Sequence, residues 1–113
     1  MIQYKLQSVG FLSTNGKERI CPVAGKMVGV KEIAREIEAT AGIPAIRTMD
    51  ALAAFVEAAA RHFEQGDQVR IDGLGAFRPA LAQEDGRVVA KRLSFCTSNK
   101  MRDRMKDFPT EAI

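Results

Sequence analysis

The stretch ALAAFVEAAARHFEQGDQVRIDGLGAF, residues 51–77, contains the change of period that decides the fold. Its first part repeats apolar side chains every three or four positions, the spacing of one helix face. Gly66 interrupts that repeat. Beyond it the period falls to two, with Val69 and Ile71 on one side and Arg70 on the other, as in a half-buried strand. Gly73-Leu74-Gly75 then reads as a turn that ends on Phe77.

Upstream, the same helix is predicted to open near Pro44, a residue suited to a first helical turn. Ile46, Met49, Leu52, Ala53, Val56, Ala59, Ala60 and Phe63 form one sustained apolar stripe along it. Phe55 lies at the margin of the stripe, beside a run of alanines. That position suits a core residue or a close helix contact with a second chain. A preceding helix carries Val30, Ile33, Ala34, Ile37 and Ala41 on one face and stops at Gly42. Its wet side has like-charge pairs at four-residue spacing, Lys31 with Arg35 and Glu32 with Glu36, so packing must hold it. Residues 2–9 alternate as a strand. Asn15-Gly16 favours a tight hairpin turn, and residues 19–23 form the returning strand, which Pro22 pushes to a sheet edge.

Downstream, residues 76–82 read as a second strand of the main sheet, with Phe77 inward and Arg78 outward. Glu84-Asp85-Gly86 is a turn. Residues 87–96 form a third strand, with Leu93 and Phe95 inward and Arg92 outward. Ser98 is placed to cap a last helix with Met101, Met105 and Phe108 facing in, and Pro109 ends it. The methionines read as core fillers.

With 113 residues the chain is one domain with an appendage, and its 46% hydrophobic content fits a globular protein. A chain of this size buries only part of its surface, so a shared core in a dimer would help it. The net charge is only +3, but residues 86–106 hold seven bases (Arg87, Lys91, Arg92, Lys100, Arg102, Arg104, Lys106) against one acid, Asp103. Charge alone allows either polyanion binding or a merely solvated basic face. Cys21 and Cys96 have no metal or disulfide-framework spacing and by default read as buried free thiols, although the parity of Cys96, opposite to that of Phe95, allows it partial exposure. His62 has no carboxylate or cysteine at ligand spacing in the sequence, and nothing pairs a nucleophile with a base, so neither an enzyme nor a metal site is expected. The glycine turn is no nucleotide-binding loop, because no helix follows Gly75. No cofactor and no small-molecule substrate are expected. No apolar run reaches the roughly 20 residues of a membrane span and the first residues lack a signal-peptide core, so no membrane partner and a cytoplasmic location are expected.

From Val30 to Phe108 the order helix, helix, three strands, helix resembles the HU/IHF family of histone-like bacterial DNA-binding proteins. Gly42-Ile43 at the helix joint, Ala51 to Glu57, Gly66 and the GLGAF segment at 73–77 carry that resemblance. It implies an α+β fold with two N-terminal helices, a three-stranded antiparallel sheet with a short β-arm, a C-terminal helix, and here an extra N-terminal strand or hairpin. The division it implies is 1–28 as a β extension and 29–113 as the DNA-binding domain. It also implies a homodimeric, nucleoid-associated, weakly sequence-specific binder of double-stranded DNA, active in DNA condensation. The resemblance suggests Arg70, Arg78 and Arg92 on the DNA-facing side of the sheet, Arg87 and Lys91 near the arm tip with the opposite parity, and Lys100, Arg102 and Arg104 on the last helix. Two departures matter. The family's proline-tipped arm is replaced by a short hairpin with Glu84-Asp85 at its turn, which phosphate would repel. Residues 1–28 are additional and resemble the strand extension of a short-armed branch. A dimer of the same fold that has lost DNA binding and serves as a structural or protein-interaction module is the competing expectation.

Overall fold

A computed structural model describes residues 1–8 and 18–113. The Asn15-Gly16 turn lies outside the described residues. The described chain is mixed α+β, with three helices and two three-stranded sheets. It divides into two compact units, Val28–Asp103 and Met1–Met27 with Arg104–Ile113.

In the larger unit, α1 (Val30–Ala41) and α2 (Ala45–Glu64) pack against each other. The Gly29 N–H donates to Glu32 Oε2 at 2.9 Å, so the first turn of α1 binds one of its own orphan amides. The exposed Glu38 of α1 accepts from the Ala45 N–H at 2.6 Å. A carboxylate at the start of α2 satisfies an unpaired donor and favours the positive end of that helix. At the other end of α2, Gly66 N–H donates to Phe63 O and Asp67 N–H to His62 O, the paired bonds of a Schellman stop. The chain leaves this stop directly into the sheet.

That sheet has the order β3 (Val69–Ile71), β4 (Gly75–Glu84), β5 (Arg87–Thr97), all antiparallel. Leu74 N–H closes the β3–β4 turn on Ile71 O. Gly75 is required by a close approach: a Cβ there would overlap the carbonyl oxygen of Cys96 and lie 2.7 Å from the Phe95 ring. The Gly75→Ala variant is therefore expected to lose about 3 kcal/mol or more, since overpacking must displace backbone as well as a ring. A denaturant titration measures this; a loss under about 1 kcal/mol would contradict the crowding. Asp85 and Gly86, at φ 52 and 77, make the two-residue turn of the β4–β5 hairpin, the left-handed pair that a tight hairpin favours. Ser98 Oγ accepts from the Met101 N–H at 3.1 Å and so caps α3 (Asn99–Met105).

The smaller unit is a sheet in the order β2 (Glu18–Pro22), β1 (Ile2–Ser8), β6 (Thr110–Ala112). Pro22 lies on the edge strand, where a missing amide costs least. Pairing places Tyr4 opposite Pro22 and Leu6 opposite Ile20, so the alternation of residues 2–6 continues across the hairpin. β6 runs parallel to β1 and was not anticipated: beyond Pro109 the sequence has no periodic signal, and only the distant strand β1 supplies its partner.

Candidate nucleic-acid interface

The register of β3, β4 and β5 sorts the side chains of the larger sheet, because directly paired residues share a face. Val69 pairs with Phe77 and Phe77 with Phe95; Pro79 pairs with Leu93 and Leu81 with Lys91. The Phe77 and Phe95 rings lie 4.8 Å apart and tilted. These residues form the apolar face, and Phe77 and Leu93 line a recess of about 300 Å³ with Phe55, Val56, Ala59, Ala60 and Phe63 of α2. The apolar face is therefore the helix side.

The opposite face carries the arginines. Arg70 pairs with Ala76 and Ala76 with Cys96; Arg78 pairs with Ser94; Ala80 pairs with Arg92. Arg70, Arg78 and Arg92 thus share one face although each lies on a different strand. Counted along β4, their levels step by two residues, about 7 Å each time. Alanine, serine and Cys96 fill the positions between them, so nothing bulky holds a partner away from the guanidiniums.

Arg87 joins this row for a reason that sequence parity missed. The register shifts between Ala82 and Gln83: Ala82 pairs with Ala90, but Gln83 pairs with Val88, leaving Val89 as an extra residue. A bulge of this kind reverses the facing of everything beyond it. Arg87 therefore stands opposite Glu84, on the face of Arg78, rather than with Lys91 on the apolar side. Lys91 lies opposite Leu81, and both Lys91 and Arg92 border an open recess of about 760 Å³ at the strand edge that also includes Phe63 and Glu64 of α2.

Arg78 and Arg92 are exposed, with no ion pair among the described residues. Arg70 differs: its Nε lies 3.2 Å from Asp72 Oδ1, a contact in which the two side chains are 76% and 92% exposed. Lys100, Arg102 and Arg104 are exposed on α3. Helical geometry places Lys100 and Arg104 on one side and Arg102 nearly opposite, so the three cannot all meet one phosphate strand. Lys106 lies just past the end of α3.

One expectation about a single side chain changes. His62 does have a carboxylate partner: its Nδ1 lies 2.9 Å from Asp67 Oδ2, across the end of α2. Both groups are half exposed, so the pair adds little stability. Cys96 is exposed beside the arginine row, as its parity opposite to that of Phe95 allowed, whereas Cys21 is half-buried. Among the described residues no group of three or more His, Cys, Asp or Glu side chains could hold a metal ion, and no helix is long and apolar enough to cross a membrane.

The helix layer leaves much apolar surface open. Only Ala34 and Ala59 are buried hydrophobic residues among those described. The stripe on α2 is only partly covered: Ala59 is buried and Leu52 and Phe63 are half-buried, whereas Ile46 and Val56 are 70% and 62% exposed. Met49 and Phe55 are also exposed, as are Val30 and Ile33 on α1.

Comparison with known proteins agrees with this architecture. A family model described as an HU domain fused to a winged helix-turn-helix, Ig or glycine-rich motif matches residues 1–110. No curated protein matches the sequence. The fold is similar to the crystal structure of a candidate bacterial DNA-binding protein from Bacteroides vulgatus, with a TM-score of 0.73 at 13% identity over 99% of this chain. This chain spans about half of that one, 48% of its length. The fold is also similar to Anabaena HU in an HU–DNA cocrystal, with a TM-score of 0.55 at 14% identity, covering 72% of this chain and 100% of that one.

Proposed function

The chain belongs to the HU-HIG family of HU domains, and from that premise we propose that it is a non-enzymatic, architectural protein that binds double-stranded DNA as a homodimer. The observation that carries this reading is the row of Arg70, Arg78, Arg92 and Arg87 on one sheet face, with small side chains between them. Guanidiniums at this spacing suit a phosphate backbone. Nothing on that face offers a planned set of donors for base edges, so binding is governed by backbone contacts and duplex shape, with weak sequence preference. The acidic turn Glu84-Asp85 keeps the tip of the ribbon off the phosphates. The duplex lies on the flank of β4 and β5, and no apolar wedge is driven between base steps.

The dimer rests on the open apolar surface of α2. Ile46, Met49, Ala53, Val56 and Ala60 recur at helical spacing on one side of it, beside the apolar recess. That recess is about twice the size of a cavity that takes a benzene ring. Covering Ile46, Met49 and Val56 with a second copy stabilises each of these three by about 1.5–3 kcal/mol where burial is complete. Twofold symmetry then doubles the arginine row. In this reading residues 29–113 are the DNA-binding body, residues 1–28 are a β extension, and the protein works in the nucleoid. Lys91, Lys100, Arg102 and Arg104 supply general positive potential around the row.

A fluorescence-anisotropy titration with a random duplex tests the proposal. Binding is expected at about 50 mM salt below roughly 10 μM protein, with a log–log salt slope near −4 for about four phosphate contacts per dimer. The acidic turn favours the competing reading, a dimer of this fold that has lost DNA binding. Absence of binding under these conditions, with the dimer intact, would establish that alternative.

A further inference from the structure

The two ends of the arginine row carry their own counter-charges, and its centre does not. Arg70 is held by Asp72 at 3.2 Å, and Arg87 stands directly opposite Glu84 in the register. Arg78 and Arg92 face Ser94 and Ala80, which are neutral and small. We propose that Asp72 and Glu84 are affinity-limiting residues: they neutralise the outer arginines, so that the phosphate grip of each chain is confined to Arg78 and Arg92. This rests on the DNA-binding reading and adds to it which arginines are effective and what restrains the others.

A guanidinium with a carboxylate beside it presents little net positive charge, and a phosphate approaching it also meets the carboxylate. Such a residue displaces few of the cations condensed on the duplex, whose release drives binding. Opposite charges directly across a ribbon interact at Cβ separations of about 5 Å, close enough for this compensation without a fixed hydrogen bond. The bulge at Val89 matters here, because it is what brings Arg87 opposite Glu84. An ordinary register would have left that arginine on the apolar side. The site so defined is short and readily reversed by salt, with its outer contacts held in reserve.

The test compares the wild type with the Asp72→Asn/Glu84→Gln variant on one random duplex over a salt series. Both acids are exposed and the amides have the same shape, so the fold should persist, and circular dichroism checks this. With four effective contacts per dimer the wild-type slope is about −4; with eight it steepens toward −7. The affinity of the variant should rise at least tenfold at 50 mM salt. Adding Arg70→Ala and Arg87→Ala to the variant should return both slope and affinity to wild-type values. An unchanged slope in the amide variant, while the wild type still binds, would overturn the masking proposal alone. A gain that survives the two alanine changes would also overturn it, because extra net charge would then be the cause. If neither the wild type nor the variant binds at low salt, both the masking proposal and the DNA-binding reading fail.

Discussion

Replacing Arg78 and Arg92 together by glutamate should abolish duplex binding and leave the dimer in place. Both side chains are exposed, and by register they share the face opposite Phe77 and Phe95, so neither belongs to the apolar layer. Four contacts are lost per dimer, and at about 0.1 M salt this weakens binding on the order of a thousandfold. Reversed charges add repulsion to that loss. Replacing Lys100 and Arg104 instead should change affinity only severalfold, because they lie on α3 and outside the row. Anisotropy titrations of both double variants, with light scattering as the control for assembly, separate these outcomes. Equal losses in the two would mean that general positive charge, and not the row, binds the duplex.

The second large effect is expected at Val56. This side chain is 62% exposed, lines the apolar recess, and lies between Ala53 and Ala60 on the open stripe of α2. The Val56→Asp variant would place one unpaired carboxylate from each chain in the shared interface, at about 3–5 kcal/mol each. That is enough to separate the subunits at micromolar concentrations. Light scattering should then fall from 24.8 kDa, twice the chain mass of 12.4 kDa, toward 12.4 kDa. Helicity should fall with it, because a single chain buries only Ala34, Ala59 and Thr48 among the described residues. A Val56→Asp protein that stays dimeric would show that this face of α2 is not the interface.

Most of the helices and of the main sheet was legible in the sequence because their signals are local. The break at Gly66, the switch from helical to alternating period, the Asp85-Gly86 turn and the cap at Ser98 each depend on a few neighbouring residues. The shared face of Arg70, Arg78 and Arg92 was legible for the same reason, since parity counted within each strand survives pairing when the strands are regular. Arg87 was misplaced because a bulge is set by the fit of two strands, and neither strand alone contains it. Strand β6 was missed because its partner lies about a hundred residues away in the chain. The roles of Glu38 and Asp72 were missed differently. Both are charged residues of ordinary appearance, and only the geometry of the α1–α2 joint and of the β3 turn gives them specific partners. The stripe on α2 looked like a single core-facing surface, yet five of its eight side chains stay exposed in the single chain. Periodicity shows that a face is apolar and does not show what covers it.

The central claim is that duplex DNA lies on the arginine face of the β3–β4–β5 sheet. The most direct measurement is an NMR titration of the ¹⁵N-labelled protein with a short random duplex, following the arginine Nε–Hε signals. The account predicts that Arg78 and Arg92 shift first and furthest, that Arg70 and Arg87 respond less, and that Arg102 on α3 stays nearly still. Shifts led by α3, or the absence of any arginine shift at low salt, would contradict it.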